Sequence, residues 1–440
     1  MLKVLLILMI CAETLLNNVV QSIIGPYDIP DGFCRDRADP KCCESRDDYC
    51  DRDDRGTKCY CDNFCHQSGD CCVDMNSTCY GKEDIAIKKC NYNGKFYNAG
   101  DSFSHYCNTC DCMERDRFME LKCTMFTCII DDKMSEEINQ MQNEWVAGRP
   151  EQFFSYKLSD GMSRMLGTFR SRKKVADMLP KYIEVRPRSL PAFFDARDKW
   201  RGKITPPPFQ KCGASWVFST VSVASDRWNI MSNGTFNGRL SFQHLLSCNK
   251  RNRMGCQGGH LTKGWNWIHD FGLVKEECYK WTGDSSRCHL PKQKGATTVR
   301  CLDDGRRTLT KLYYTAPVNR ISGNQYQIMK EIMDNGPVQA TMDIFRDFFL
   351  YESGVYSCPS HYKRSQIISV LPPISQYPGY HSVRIIGWGE ELISGKLVKY
   401  WIVANSWGES WGEGGFFKIR RGINSCNIEE FILAPWIHEY

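Results

Sequence analysis

The chain has 440 residues, room for about two to four domains, and carries 57 Lys and Arg against 51 Asp and Glu, a net charge of +6. Its 25 cysteines mark an exported, disulfide-bearing protein, so nucleic acid is not an expected partner. Beyond the first segment no apolar run approaches about 18 residues, and no membrane span is expected.

"MLKVLLILMICAETLL" opens with Lys3 and an apolar run from Val4 to Ala12, too short to cross a bilayer. Residues 1–22 therefore read as a secretory signal peptide. Cys11 lies inside it, and its removal leaves an even number of cysteines, as paired cystines require. Asn76-Ser77-Thr78 and Asn233-Gly234-Thr235 are acceptor sequons for glycosylation at Asn76 and Asn233.

Residues 30–80 hold ten cysteines, Cys34 to Cys79, with too few apolar side chains for an ordinary core. Disulfides must hold this module together; zinc would leave too many cysteines unused. The order C-x-C-x3-C-x5-CC-x6-C, from Cys59 to Cys79, resembles a somatomedin B domain, from which the Cys42-Cys43 doublet departs. Between Cys34 and Cys79 acidic residues outnumber basic ones, so the rest of the chain carries the basic excess, with runs such as Arg170 to Lys174. That excess reads either as a solvated face or as attraction to acidic polysaccharide.

Residues 88–130 carry six more cysteines around "CNTCDC" (Cys107–Cys112) and resemble a short von Willebrand factor type C module. Both module types imply extracellular contacts, although neither contains Arg-Gly-Asp. Next, "SEEINQMQNEWVAG" spaces Ile138, Met141 and Trp145 at i, i+3 and i+7, predicting an amphipathic helix that starts at Ser135. Residues 134–188 resemble a cathepsin B propeptide, which in that family runs across the active-site cleft and is removed on activation. The sequence leaves its removal open.

Residues 190–440 contain "FQKCGASWVF" (Phe209–Phe218), "GCQGG" (Gly255–Gly259), "HSVRIIGWG" (His381–Gly389) and "YWIVANSWGESWGEGGFFKI" (Tyr400–Ile419). In this order they resemble the papain family, especially cathepsin B. The implied fold class is α+β: a two-lobe papain-like domain preceded by small disulfide-rich modules, with disulfides Cys212–Cys256 and Cys358–Cys426.

The papain-type signature ends in a nucleophilic cysteine, and here that position is Ser215. A thiol ionises beside an imidazolium at a helix N-terminus, whereas a hydroxyl needs a general base during attack. The resemblance assigns the base to His381, its orienting partner to Asn405 and the tryptophan covering that pair to Trp407. It expects an oxyanion donor three residues before Cys212, where Phe209 stands; Gln210 is one residue out of step unless the loop is shortened. Ser215 itself reads as an N-cap of the following helix. The occluding loop of cathepsin B carries a His-His pair, but residues 279–300 offer only His289, which reads as a surface residue.

The whole combination resembles the tubulointerstitial nephritis antigen family. That resemblance implies a secreted, non-catalytic matrix glycoprotein without cofactor or metal, with laminin, collagen IV and integrins among its partners. Two rivals stand beside it: a slow serine-type peptidase using Ser215 and His381, and a decoy that sequesters peptides in the cleft.

Overall fold

The computed structural model describes residues 33–38, 40–54, 57–68, 70–72, 74–80, 89–115, 118–141, 144–169, 180–249, 255–301, 308–358 and 379–438. The expected signal peptide and the basic run 170–174 lie outside the described residues. The chain divides into two compact units, Met1–Phe126 and Thr127–Tyr440.

In the first unit, ten cysteines form five disulfides: Cys34–Cys61, Cys42–Cys79, Cys43–Cys50, Cys59–Cys72 and Cys65–Cys71. Their sulfurs, with Met75, are the core of this module. Loss of unfolded-chain entropy stands in for the apolar burial so small a module lacks. Farther along, Lys89–Tyr92 and Lys95–Asn98 form a hairpin. Its turn is Asn93-Gly94, both with positive φ, as a tight two-residue hairpin loop requires. A three-stranded antiparallel sheet follows, with Cys90–Cys112 and Cys110–Cys123 as its staples.

The second unit begins with α1 (Asp132–Gln140). Asp131, not Ser135, caps it, its carboxylate accepting from Met134 N at 3.1 Å. The predicted face ends early: Met141 is the C-cap, and Trp145 opens β1 (Trp145–Ala147). Trp145 is buried in that strand against the rings of Tyr351 and Tyr356. Pairing and aromatic packing at a sheet edge outweigh the local helical period. Next comes α2 (Leu158–Met165).

The other strands of the main sheet are β2 (Phe194–Asp195), β3 (Asn319–Ile321), β4 (Val338–Ile344), β5 (Tyr351–Tyr356), β6 (Gly379–Ile393), β7 (Lys396–Ala404), β8 (Phe416–Arg420) and β9 (Ile432–Ala434). With β1 they make one sheet ordered β3-β9-β4-β6-β7-β8-β5-β1, and β2 pairs on β6. The N-terminal part of this unit thus supplies an edge strand to the main sheet.

The helical side is built on α3 (Ser215–Met231), with α4 (Phe242–Cys248) and α5 (Leu261–Phe271) around it. α3 is buried along nearly its whole length, and Ser219, Thr220, Ser222, Ala224 and Ser225 keep its surface narrow enough for close packing on all sides. Its buried charges are paired across the fold. Asp226 binds Arg384 of β6, and Arg227 reaches Glu331 of α6 (Gln325–Asn335) at 2.9 Å and the Pro337 carbonyl at 2.8 Å. Removing one member of such a pair leaves an uncompensated buried charge, so these contacts fix α3 against the sheet. Among the described residues no helix is long and apolar enough to cross a membrane.

Candidate functional site

Ser215 is the first residue of α3, at the junction of helices and sheet. The expectation that it caps the helix is corrected by one residue. Ala214 is the N-cap and offers no side-chain bond, and the Ser215 N–H finds its partner outside the helix, the Leu166 carbonyl at 3.1 Å. The Ser215 hydroxyl is fully buried and bonds Thr168 Oγ1 at 2.8 Å. Thr168 Oγ1 also meets Ser382 Oγ of β6 at 2.7 Å, and Ser382 meets Ser219 Oγ of α3 at 2.8 Å. Gln339 of β4 extends the network by donating to Ser219 and Thr220.

Residues 163–169 reach this place because two glycines let the backbones touch. A Cβ on Gly167 (φ +110°) would lie 2.1 Å from the Gly213 carbonyl oxygen, and one on Gly213 would lie 2.4 Å from that of Ser163. The segment is also held lengthwise. Trp407 Nε1 donates to the Met165 carbonyl at 2.7 Å, Gly259 N to the Gly167 carbonyl at 3.0 Å, and Phe169 N to the Gly259 carbonyl at 2.9 Å.

Gln210 is not out of step. Phe209 bridges Trp407, and Gln210 N donates to the Ser406 carbonyl at 2.8 Å. This extended pairing sends Phe209 outward, 40% exposed, and turns the side chain of Gln210 inward, 0% exposed. There the carboxamide donates to the Leu166 carbonyl at 3.0 Å and the Arg164 carbonyl at 3.0 Å, and accepts from the Ser406 hydroxyl at 2.5 Å. Two donors, Gln210 Nε2 and Ser215 N, thus converge on one carbonyl oxygen, that of Leu166. This is the form of an oxyanion hole, with a carbonyl of the same chain seated in it.

His381 lies on β6 and Asn405 just beyond the end of β7. The register Arg384↔Ala404 brings the two to the same end of the ladder. Asn405 Oδ1 accepts from Ser406 N at 2.8 Å and lies 2.8 Å from His381 Nε2, so Nε2 carries the proton. Trp407 covers the pair, its ring centroid 5.3 Å from that of His381. His381 Nδ1 is buried and has no hydrogen-bond partner among the described residues. Burial pushes the imidazole down to about 4, against the lifting effect of the Asn405 bond. The ring is neutral, and among the described residues the Ser215 hydroxyl bonds Thr168 and not His381.

Cys212 is bonded to Cys256 and Cys358 to Cys426; Cys248–Cys288 and Cys278–Cys301 pair the rest of this domain's cysteines. Cys34, Cys61 and Cys72, and Cys65 with Cys71 beside His66, are close enough to suggest metal sites. All five cysteines are tied up in disulfides, which removes the thiolates a metal would need. Asn233 is exposed in the turn after α3, Asn76 is half-buried on the helix Met75–Tyr80, and His289 is exposed. Thr168, Leu166 and Ser382 are participants that sequence reasoning missed. Their only signal is Gly167 in "LGTF", a glycine where another backbone must come close.

The papain family cysteine protease model matches residues 190–436. The tubulointerstitial nephritis antigen-like protein of Homo sapiens is 37% identical, over 94% of this chain and 90% of its own length. The tubulointerstitial nephritis antigen of Homo sapiens is 35% identical over 92% of this chain and 87% of its own. Among solved structures, procathepsin B S9 from Trypanosoma congolense matches 71% of this chain and all of its own, with a TM-score of 0.59 and 26% identity. The chain belongs to the papain family, within the group of tubulointerstitial nephritis antigen and its antigen-like relatives.

Proposed function

We propose that the protein is a secreted, proteolytically inactive matrix glycoprotein that acts through binding and adhesion. The observation that carries this reading is the occupied cleft. The Leu166 carbonyl fills the two-donor pocket, and the hydroxyl at the nucleophile position, Ser215, is bonded to Thr168. Among the described residues no base is bonded to the Ser215 hydroxyl: it meets Thr168, and Nδ1 of His381, the nitrogen that would take its proton, has no hydrogen-bond partner. Serine-type turnover lacks its first requirement, a hydroxyl bonded to the imidazole. Peptide sequestration lacks room, because a segment of the same chain already lies on these donors.

Laminin and collagen IV are the proposed partners, with integrins and acidic polysaccharide after them; the disulfide-stapled first unit supports an extracellular setting. The test is binding of the purified full-length protein to immobilised laminin and collagen IV at physiological salt, with a cathepsin B as control. Saturable binding above that control is expected; binding no greater than the control's removes the matrix role.

A further inference from the structure

We propose that residues 127–169 are a permanent part of this folded domain, and that Ser215 is the hydroxyl anchor which, through Thr168, keeps them in the cleft. In this reading the serine has a positive use. A thiol is only a weak donor and weak acceptor, whereas a hydroxyl both gives and takes a hydrogen bond of ordinary length. At 2.8 Å the Ser215–Thr168 contact is such a bond, and Thr168 is 95% buried where it is made. Its oxygen also joins Ser382 of the sheet, so one pro-segment side chain ties helix to sheet.

The rest of the segment is built in as deeply. Trp145 is buried as part of the main sheet's edge strand, and Phe153 (1% exposed) packs edge-on against Trp407 and Phe349. Met165 and Leu166 are likewise buried. Losing the segment would leave the cleft's donors and these aromatic faces in water together.

A cut in the chain tests this directly. All eight cysteines beyond residue 180 pair with one another, so no disulfide ties that part to what precedes it. A site-specific protease sequence is inserted within residues 170–179 of the full-length protein, which is cut and followed without reductant by native size exclusion and by release from an immobilised C-terminal fragment. The fragments are expected to stay together until denaturant is added. Thr168→Val in the cut protein should speed release about tenfold or more, the effect of stranding buried hydroxyl partners. Ser215→Ala should act in the same direction, and Thr168→Ser should restore slow release. Should Thr168→Val prevent folding, Ser215→Ala and Ser382→Ala carry the comparison. Prompt dissociation of the wild-type fragments overturns the proposal, and so does release unchanged by all three hydroxyl deletions.

Discussion

The Gln210 carboxamide donates to the Leu166 carbonyl at 3.0 Å, and the Ser215 N–H meets the same oxygen at 3.1 Å. A site of this shape stabilises a developing oxyanion in an acyl-transfer enzyme. Here its occupant is a ground-state peptide carbonyl belonging to the chain itself. The donors are therefore spent on holding structure, and a change at position 215 alone is expected to leave them occupied.

Ser215→Cys puts sulfur back without clearing the cleft. Full-length Ser215→Cys is expected to hydrolyse fluorogenic peptides no faster than wild type or Ser215→Ala. A burst of turnover in the intact Ser215→Cys chain would show that the segment leaves the donors readily, against the occupied-cleft reading.

Register at the loop makes a sharper prediction. Gln210→Leu strands buried carbonyls and the Ser406 hydroxyl, and should cost about 1–3 kcal/mol in denaturant unfolding. Phe209→Ala, on the exposed side of the same strand, should cost less than about 1 kcal/mol. The reverse order of effects would place the inward side chain at 209.

Much of the fold was legible because its signals are local. Cysteine spacing carried the first module, and the ordered motifs around Cys212, His381 and Asn405 carried the papain-like domain. What failed depends on partners distant in sequence. Trp145 has helical spacing from Ile138, yet pairing with β5 places it in a strand. Ser215 is a good capping residue, but the backbone of Leu166 takes its N–H and Thr168 its hydroxyl. Counting residues from Cys212 put Phe209 in the donor's place, while strand alternation decides for Gln210.

The neutral, buried His381 makes an acid-side prediction. With its pKa pushed down to about 4 from 6.5, the native state binds fewer protons than the unfolded chain between those values. Stability therefore falls as pH drops from 6.5 towards 4, by about 3 kcal/mol for this group over the full range. Asp347, raised by burial to about 6, works the other way over an overlapping window, since its native form holds the proton longer. Comparing wild type with His381→Gln cancels Asp347. Relative to that variant, wild type should lose about 2–3 kcal/mol between pH 7 and 4.5 in denaturant titrations. Parallel pH profiles would mean that the ring takes up its proton as readily in the fold as in the unfolded chain.

The two sequons differ in what the fold offers a glycan. Asn233 is exposed, in a left-handed turn (φ 51°) just past the end of α3, and a Cβ on the neighbouring Gly234 would meet nothing within 4 Å. Asn76 is half-buried in a six-residue helix whose Thr78 hydroxyl is bound to the Asp74 carboxylate at 2.7 Å. That carboxylate also accepts from the backbone of Cys34 and Arg35, so the helix is fastened to the start of the module. A carbohydrate at Asn233 projects into open solvent, whereas one at Asn76 must share space with this packed corner. Intact-mass analysis of protein secreted from animal cells should therefore show higher glycan occupancy at Asn233, and Asn233→Gln should remove most of the added mass with little change in unfolding. An increment that survives Asn233→Gln and disappears with Asn76→Gln would reverse the assignment.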